Sequence, residues 1–143
     1  MTWAIAEAAT DDDRAACLAL RIAVFCGEQG VTREEEIDGL DEGARHLLAT
    51  VDGAPAGTLR LRFTGEAAKI ERVCVARAHR GTGLGAALLR EGLRVAAEAG
   101  ATEARLGAQV AVIPFYERLG FAAHGPEYLD ARIPHRDMTR PLP

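Results

Sequence analysis

Lysine is nearly absent from this 143-residue chain: of 17 basic residues 16 are arginine, and Lys69 stands alone. In so alanine-rich a chain this reflects composition rather than chemistry. A basic excess is missing as well. Against 21 acidic residues the formal net charge is −4, which argues against a dedicated nucleic-acid binder, since those usually carry a strongly basic domain or stripe. The three cysteines, at 17, 26 and 74, show no C-x-x-C spacing, so neither a disulfide framework nor a zinc site is expected. The four histidines form no H-E-x-x-H pair, and no metal is expected either. The longest charge-free run, Leu106 to Tyr116, is 11 residues, too short to cross a bilayer. The first residues, Met1-Thr-Trp-Ala-Ile-Ala-Glu, lack the basic and apolar regions of a secretion signal, which points to the cytoplasm and away from a membrane. What is present is 48% hydrophobic and 27% charged residues, the balance of one globular domain over residues 1–143.

Periodicity divides the chain. Thr2 to Ala8 alternates as a strand. Thr10 followed by Asp11, Asp12 and Asp13 caps a helix with acids in its first turn; it runs through Cys17, Leu20, Val24 and Phe25, with Gly27 to end it. Glu28 to Gly43 reads as a long acidic connection. Strands are predicted over His46–Val51 and Ala56–Phe63, joined by the hairpin signal Asp52-Gly53, then over Lys69–Val75. Leu84–Ala99 is helical in pattern, Ala104–Gln109 a short buried strand, and Pro114–Leu119 a short helix with proline in its first turn. Two more strands are expected around Pro126 and Pro134. This order predicts a mixed sheet with helices on its faces.

The segment Arg80-Gly81-Thr82-Gly83-Leu84-Gly85 lies between a strand and a helix. Glycines let the backbone turn tightly and remove the Cβ atoms that would obstruct a ligand. The first N–H groups of the helix lack internal partners, and the helix dipole adds positive charge there, so an anion such as a pyrophosphate suits the position. Arg80 adds a charge-assisted contact. A P-loop is excluded, because no lysine or hydroxyl follows the last glycine. A dinucleotide G-x-G-x-x-A pattern is formally met by Gly81, Gly83 and Ala86, but the glycines lie too far from their strand and too little chain follows.

Arg80, Gly83 and Gly85 also match [QR]-x-x-G-x-[GA], and here the chain resembles the GNAT (Gcn5-related N-acetyltransferase) superfamily. Phe115-Tyr116-Glu117-Arg118-Leu119-Gly120-Phe121 is similar to the family's F-Y-x-x-x-G-F signature. Arg21-x-x-Val24-Phe25-x-x-Glu28-Gln29-Gly30, Glu35-Glu36-Ile37-Asp38, His46-Leu47, Gly107-Ala108-Gln109 and Ile133-Pro134-His135 resemble the small bacterial ElaA/YjcF-like branch. The resemblance implies an α/β (α+β) fold: a three-layer α/β/α sandwich around a mixed, mostly antiparallel sheet whose central parallel strands splay apart to receive acetyl-CoA. It implies that Val73, Cys74 and Val75 meet the pantetheine, that Arg80, Gly81, Thr82, Gly83, Leu84, Gly85 and Ala86 hold the pyrophosphate, and that Gln109, Phe115 and Tyr116 complete the cofactor site. Gln109 departs from the family's usual asparagine, and Val112 from its usual alanine. By the same resemblance the chain acts as an acetyl-CoA-dependent N-acetyltransferase by direct transfer through a tetrahedral intermediate, with the backbone N–H of Val73 toward the oxyanion.

The resemblance makes Tyr116 the general acid, protonating the departing thiolate; a phenol has an ordinary pKa near ~10, suited to that task. For the base, strand period two places Glu71 on the face of Val73 and Val75, with an ion pair to Arg60 or Arg72 as its structural alternative. Glu28 and His135 are further candidates. Seven carboxylates in the acidic connection (Glu28, Glu34, Glu35, Glu36, Asp38, Asp41, Glu42) border the expected acceptor side, where a cationic small-molecule or peptide amine is one reading and a solvated face the other. Many members of the family dimerise through sheet edges that leave no motif, so the resemblance is compatible with a homodimer without specifying one. Two other classes stand beside the enzyme: a non-catalytic acyl-CoA sensor on the same fold, and a nucleotide-binding oxidoreductase module.

Overall fold

The computed structural model describes residues 2–143. Seven strands form one sheet in the order β1-β2-β3-β4-β5-β7-β6: β1 Trp3–Glu7, β2 Arg45–Val51, β3 Ala54–Thr64, β4 Ala67–Val75, β5 Glu103–Gln109, β6 Ala122–Asp130 and β7 Ile133–Pro141. Every pairing is antiparallel except β4 with β5. One parallel pair is incompatible with the doubly wound parallel sheet of a dinucleotide-binding oxidoreductase, so that alternative falls. Four helices complete the chain: α1 Asp11–Arg21, α2 Arg33–Glu36, α3 Leu84–Glu98 and α4 Ile113–Arg118.

Local signals explain most boundaries. Thr10 accepts the N–H of Asp13 and starts α1, as its hydroxyl and following acids predict. Asp52 and Gly53, at φ 50° and 85°, make the β2–β3 hairpin with the two positive φ values that such tight turns require. A second hairpin, β6 to β7, turns on Ala131 and Arg132, also at positive φ, where no glycine marks it. Pro126 sits in a register shift of β6, an edge strand, where a missing N–H is tolerated.

Two expectations about the N-terminal third need revision. The first helix is not uniformly α: after Arg21 it widens into a π-helical turn, Ile22–Cys26, and the Gly27 N–H reaches back to Ile22 O at 2.9 Å. Gly27 is there for space, since a Cβ would meet Ala23 O at 2.5 Å. The acidic connection is not a plain loop either. It contains α2, started by a capping box in which Thr32 and Glu35 satisfy one another's backbone N–H groups. The Thr-x-x-Glu spacing of Thr32 and Glu35 is the local sequence signal for this start.

The main core lies between the sheet and α3, with Leu84, Leu88, Leu89 and Leu93 against Leu47, Leu59, Leu61 and Ile70. Gly92 lets α3 come close: a Cβ there would stand 3.0 Å from Leu59 Cδ2. On the other face Leu20 and Val24 pack on Cys74. Beside that small cluster the face is ionic. Arg21 and Arg60 are fully buried. Arg21 binds Glu36 at 2.6 Å and Asp41 at 2.9 Å; Arg60 binds Asp38 at 2.8 Å, Asp41 at 2.9 Å and Glu71 at 2.9 Å. Through these contacts the acidic segment is clamped across β3 and β4.

Removing one partner of a buried ion network strands the others without compensation, at about 3–5 kcal/mol. Arg60→Ala is therefore expected to destabilise the fold by that amount in urea unfolding, with an unchanged m-value. A loss of less than about 1 kcal/mol, the worth of an exposed pair, would show that the buried charges do not hold the segment.

Candidate active site

The ladder between β4 and β5 covers only Ala67–Lys69 against Glu103–Arg105. Beyond it the strands run on without pairing, and a cavity of about 1560 Å³ opens between and around them. Its walls include Val73, Cys74 and Val75 of β4, Gln109 of β5, Arg80, Gly81, Gly83, Gly85 and Ala86 of the glycine turn, and Phe115 and Tyr116 of α4. The structure thus brings together nearly all of the residues expected to line a cofactor slot. Two are used differently. Leu84 is wholly buried in the core, leaving only its backbone to the turn. Thr82 folds the loop, donating its hydroxyl to His79 O at 2.7 Å.

The glycine turn has the features of an anion cradle. Gly81 and Gly83 stand at φ 75° and 90°, a left-handed conformation that side chains disfavour. Gly83 is the N-cap of α3 and contributes no side-chain cap; of the helix's first N–H groups that of Leu84 reaches Thr82 Oγ1, at 3.4 Å. At Gly85 a Cβ would come within 3.6 Å of Phe115, so any larger side chain would narrow the slot. Arg80 is anchored by donating from Nε to Val75 O at 3.0 Å, and it pairs with Glu28 at 2.7 Å.

The expectation for Glu71 is corrected. Arg72 takes φ 56°, and the β3–β4 register shifts between Thr58 and Arg60, so Arg72 and Val73 together stand opposite Leu59. Such a bulge reverses the alternation of side chains. Val73 and Val75 point to the α3 face with Ile70, whereas Glu71 shares the other face with Cys74. There it meets Arg60, Arg62 at 2.6 Å and Lys69 at 3.5 Å. Burial pushes its carboxyl up, but the Arg62 hydrogen bond and the three cationic charges outweigh this and hold it at about 2. A carboxylate so stabilised is a poor acceptor for an ammonium proton, and the ion-pair alternative describes Glu71.

The acidic segment is spent in the same way. Glu36, Asp38 and Asp41 belong to the buried network, Glu28 pairs with Arg80, and Glu35 makes two contacts to Arg132 at 3.0 and 3.1 Å. Only Glu34 and Glu42 of the seven lack an ion pair among the described residues. Arg72 is braced by the same segment: Nε lies 3.1 Å from Glu36 and Nη2 3.2 Å from Asp38, which supports its strained backbone.

Tyr116 is 8% exposed, with its ring edge-on to Phe115 and Phe121 at centroid distances of 5.1 and 5.9 Å. Burial pushes its phenol up to about 12, so it is a protonated donor throughout the physiological range. Its hydroxyl makes no hydrogen bond among the described residues. Gln109 donates to Gln29 Oε1 at 2.9 Å, tying β5 to the segment after α1. Sequence reasoning missed Gln29, and with it a polar wall on β5, β7 and β6: Gly107, Tyr128 and Asp137, with the Tyr128 hydroxyl donating to Asp137 at 2.7 Å. Gly107 admits that tyrosine, since a Cβ there would collide with the Tyr128 hydroxyl oxygen. The pairing of β7 with β5 and of β6 with β7, which carries these residues to the slot, is a tertiary register that no local pattern displays.

The sequence profile for the acetyltransferase (GNAT) domain matches residues 11–142. The chain belongs to the GNAT family. The N-acetyltransferase YjcF of Bacillus subtilis, itself uncharacterised, is 37% identical over 122 residues, 85% of this chain and 87% of that protein. An acyl-CoA N-acyltransferase from Pseudomonas aeruginosa superposes with a TM-score of 0.86 at 34% identity, covering 98% of this chain and 99% of that one. Escherichia coli ElaA gives 0.84 at 28%, covering 97% and 98%. The GNAT fold and membership of its ElaA/YjcF-like group stand on these likenesses, and acyl transfer is the family's general activity.

The buried carboxylates give this GNAT protein a signed pH response. The Glu71 pKa is depressed from 4.5, and Asp38, hydrogen-bonded by Arg60, is depressed from 3.8. A depressed carboxylate contributes stability above its unfolded value and loses it as pH falls through the folded one. Stability should therefore drop on acidification from about pH 4.5 toward about 2. Glu71→Gln should flatten that drop in urea titrations; an unchanged acid slope would contradict the assignment.

Proposed function

We propose that the protein transfers an acetyl group from acetyl-CoA to a primary amine by direct attack. The observation that carries this reading is the slot itself: an anion cradle at the start of α3 and a buried, protonated phenol line one cavity between splayed strands. Acetyl-CoA supplies an activated thioester. In this reading the backbone of Gly81 to Ala86 and the Arg80 guanidinium bind its diphosphate, with charge-assisted hydrogen bonds where Glu28 now pairs. Val73 and Val75 orient the pantetheine through their backbones; β4 has no β5 partner there, so their polar groups face the slot. Gln109 adds a side-chain amide.

Tyr116 donates a proton to the leaving sulfur. Burial raises the phenol, but the same dry slot raises a thiolate too, so the two remain matched for transfer. A covalent acetyl-cysteine route is disfavoured: Cys74 lines the slot, yet burial pushes its thiol to about 12, leaving almost no nucleophilic thiolate. The paired acidic segment lends little support to a cationic acceptor, and the reading is confined to primary amines in general. A sensor on the same fold would bind acetyl-CoA without releasing thiol, and thiol release with an amine panel distinguishes the two.

Gly83→Glu places a side chain and a negative charge in the cradle. Acetyl-CoA affinity, measured by calorimetry, should fall at least about tenfold, or 1.4 kcal/mol. Undiminished binding by a folded variant would refute the cradle.

Tyr116→Phe keeps the packed ring and removes only the hydroxyl. An interaction made only in the transition state lowers kcat and kcat/KM together and leaves the acetyl-CoA Kd nearly fixed. The expected loss is about 100-fold, the lower end for a general acid, because thiolates leave fairly readily. A kcat within about twofold of wild type, with chemistry rate-limiting, would reduce Tyr116 to a packing residue.

A further inference from the structure

The β5–β7–β6 wall of the slot carries a second reactive group. On β5, Gly107 and Gln109 share a face; on β7, Ile133, His135 and Asp137 do, with His135 opposite Gln109 in the β5 register and opposite Tyr128 in the β6 register. His135 is half-buried and lines the cavity. Its Nδ1 lies 2.7 Å from Ile133 O. A carbonyl oxygen only accepts, so Nδ1 carries the hydrogen, and in the neutral ring the lone pair is on Nε2. Nε2 makes no hydrogen bond among the described residues. The ring is held flat against Tyr128, with centroids 5.9 Å apart and planes at 21°. Tyr128 is fixed in turn by its hydrogen bond to Asp137 and by the space that Gly107 leaves. The imidazole is therefore oriented on both sides, with one basic nitrogen unengaged.

The carboxylates lining the slot are engaged elsewhere, apart from Asp130, which is exposed at the end of β6. Glu71 and Glu36 belong to the buried arginine network. Glu35 is held by Arg132, Glu103 pairs with Arg105, Asp137 accepts the Tyr128 hydroxyl, and Glu28 does not line the cavity. We propose that His135 is the general base of the transfer, taking the proton of the incoming ammonium on Nε2; this rests on the acetyl-transfer reading above. The acceptor R–NH3⁺ loses one proton to Nε2, and the imidazolium passes it to solvent. The freed nitrogen lone pair forms the N–C bond to the thioester carbonyl carbon, and the C–S bond breaks. Tyr116 protonates the sulfur and recovers a proton from the nitrogen. The balance is amide, CoA thiol and one proton in solution. In the sequence, strand period puts Glu71 ahead of His135; the Nδ1 contact to Ile133 O and the ion pairs of Glu71 reverse that order.

Thiol release from acetyl-CoA, with water and with n-butylamine as acceptors, tests this in wild type, His135→Ala and His135→Gln. Both variants should lose about 100-fold in kcat while binding acetyl-CoA as wild type does. Added imidazole should restore at least about tenfold in the alanine variant, which leaves room for it, and nothing in the glutamine variant, which does not. A packing role would show no such rescue. A kcat within about threefold of wild type in the folded glutamine variant overturns the assignment, as does a loss that imidazole leaves untouched in the alanine variant. Independently of turnover, the ¹⁵N–¹H correlations assigned to His135 should show a protonated Nδ1 and a bare Nε2; the opposite tautomer overturns it as well. A wild type that binds acetyl-CoA yet releases no thiol with these acceptors or with any of the amine panel refutes the transferase reading, and the base with it.

Discussion

β4 has to satisfy two neighbours along one length: β3, which it pairs with almost throughout, and β5, which it leaves after Lys69. The slot exists because that second partnership stops, and its chemistry depends on how β4 continues alone. The left-handed Arg72 is the hinge of this arrangement. By adding a residue to the strand it exchanges the faces, sending Glu71 to the α1 side and Val73 and Val75 to the α3 side. A regular strand would have kept Glu71 on the same face as Val73 and Val75.

A non-glycine residue at positive φ costs free energy, commonly 1–3 kcal/mol, and persists only where its surroundings over-determine it. Here they do. The Arg72 guanidinium is gripped by Glu36 and Asp38, which are bound in turn by the buried Arg21 and Arg60. The acidic segment is thus a brace for the strand that shapes the slot, more than a surface awaiting a cation. It also delivers Gln29 to Gln109 and Glu28 to Arg80, so one segment of chain touches both sides of the opening.

The division of labour around the slot follows from burial. On the α3 and α4 side the walls are apolar and the Tyr116 phenol is pushed toward its neutral form, as burial does to the Cys74 thiol on the opposite face. On the β5–β7–β6 side the wall is polar, and Tyr128, burdened by burial and by the neighbouring Asp137 charge, also stays protonated. An acid in the dry part and a base in the wet part is a workable order for moving two protons in opposite directions, one onto sulfur and one away from nitrogen.

Much of this was legible in the residues. Helix caps, the Asp52-Gly53 hairpin, the leucine stripe of α3 and the strand–glycine–helix passage are local features, set by neighbours a few positions apart, and periodicity reads them directly. The Arg80–Gly85 and Phe115–Phe121 motifs belong to the same class, which is why family and fold were within reach. What periodicity could not show was any event that breaks a period: the π turn after Arg21, and the bulge at Arg72 that moved Glu71 to the opposite face. Nor could it show which charges neutralise one another, since Glu35 meets Arg132 and Arg60 meets Asp38 only after distant segments pack. Charge balance and side-chain facing are properties of contacts across the fold. So the sequence by itself determined the elements and the cofactor turn, and tertiary packing decided which ionisable groups stay free to react, because a group's proton affinity depends on what surrounds it in space.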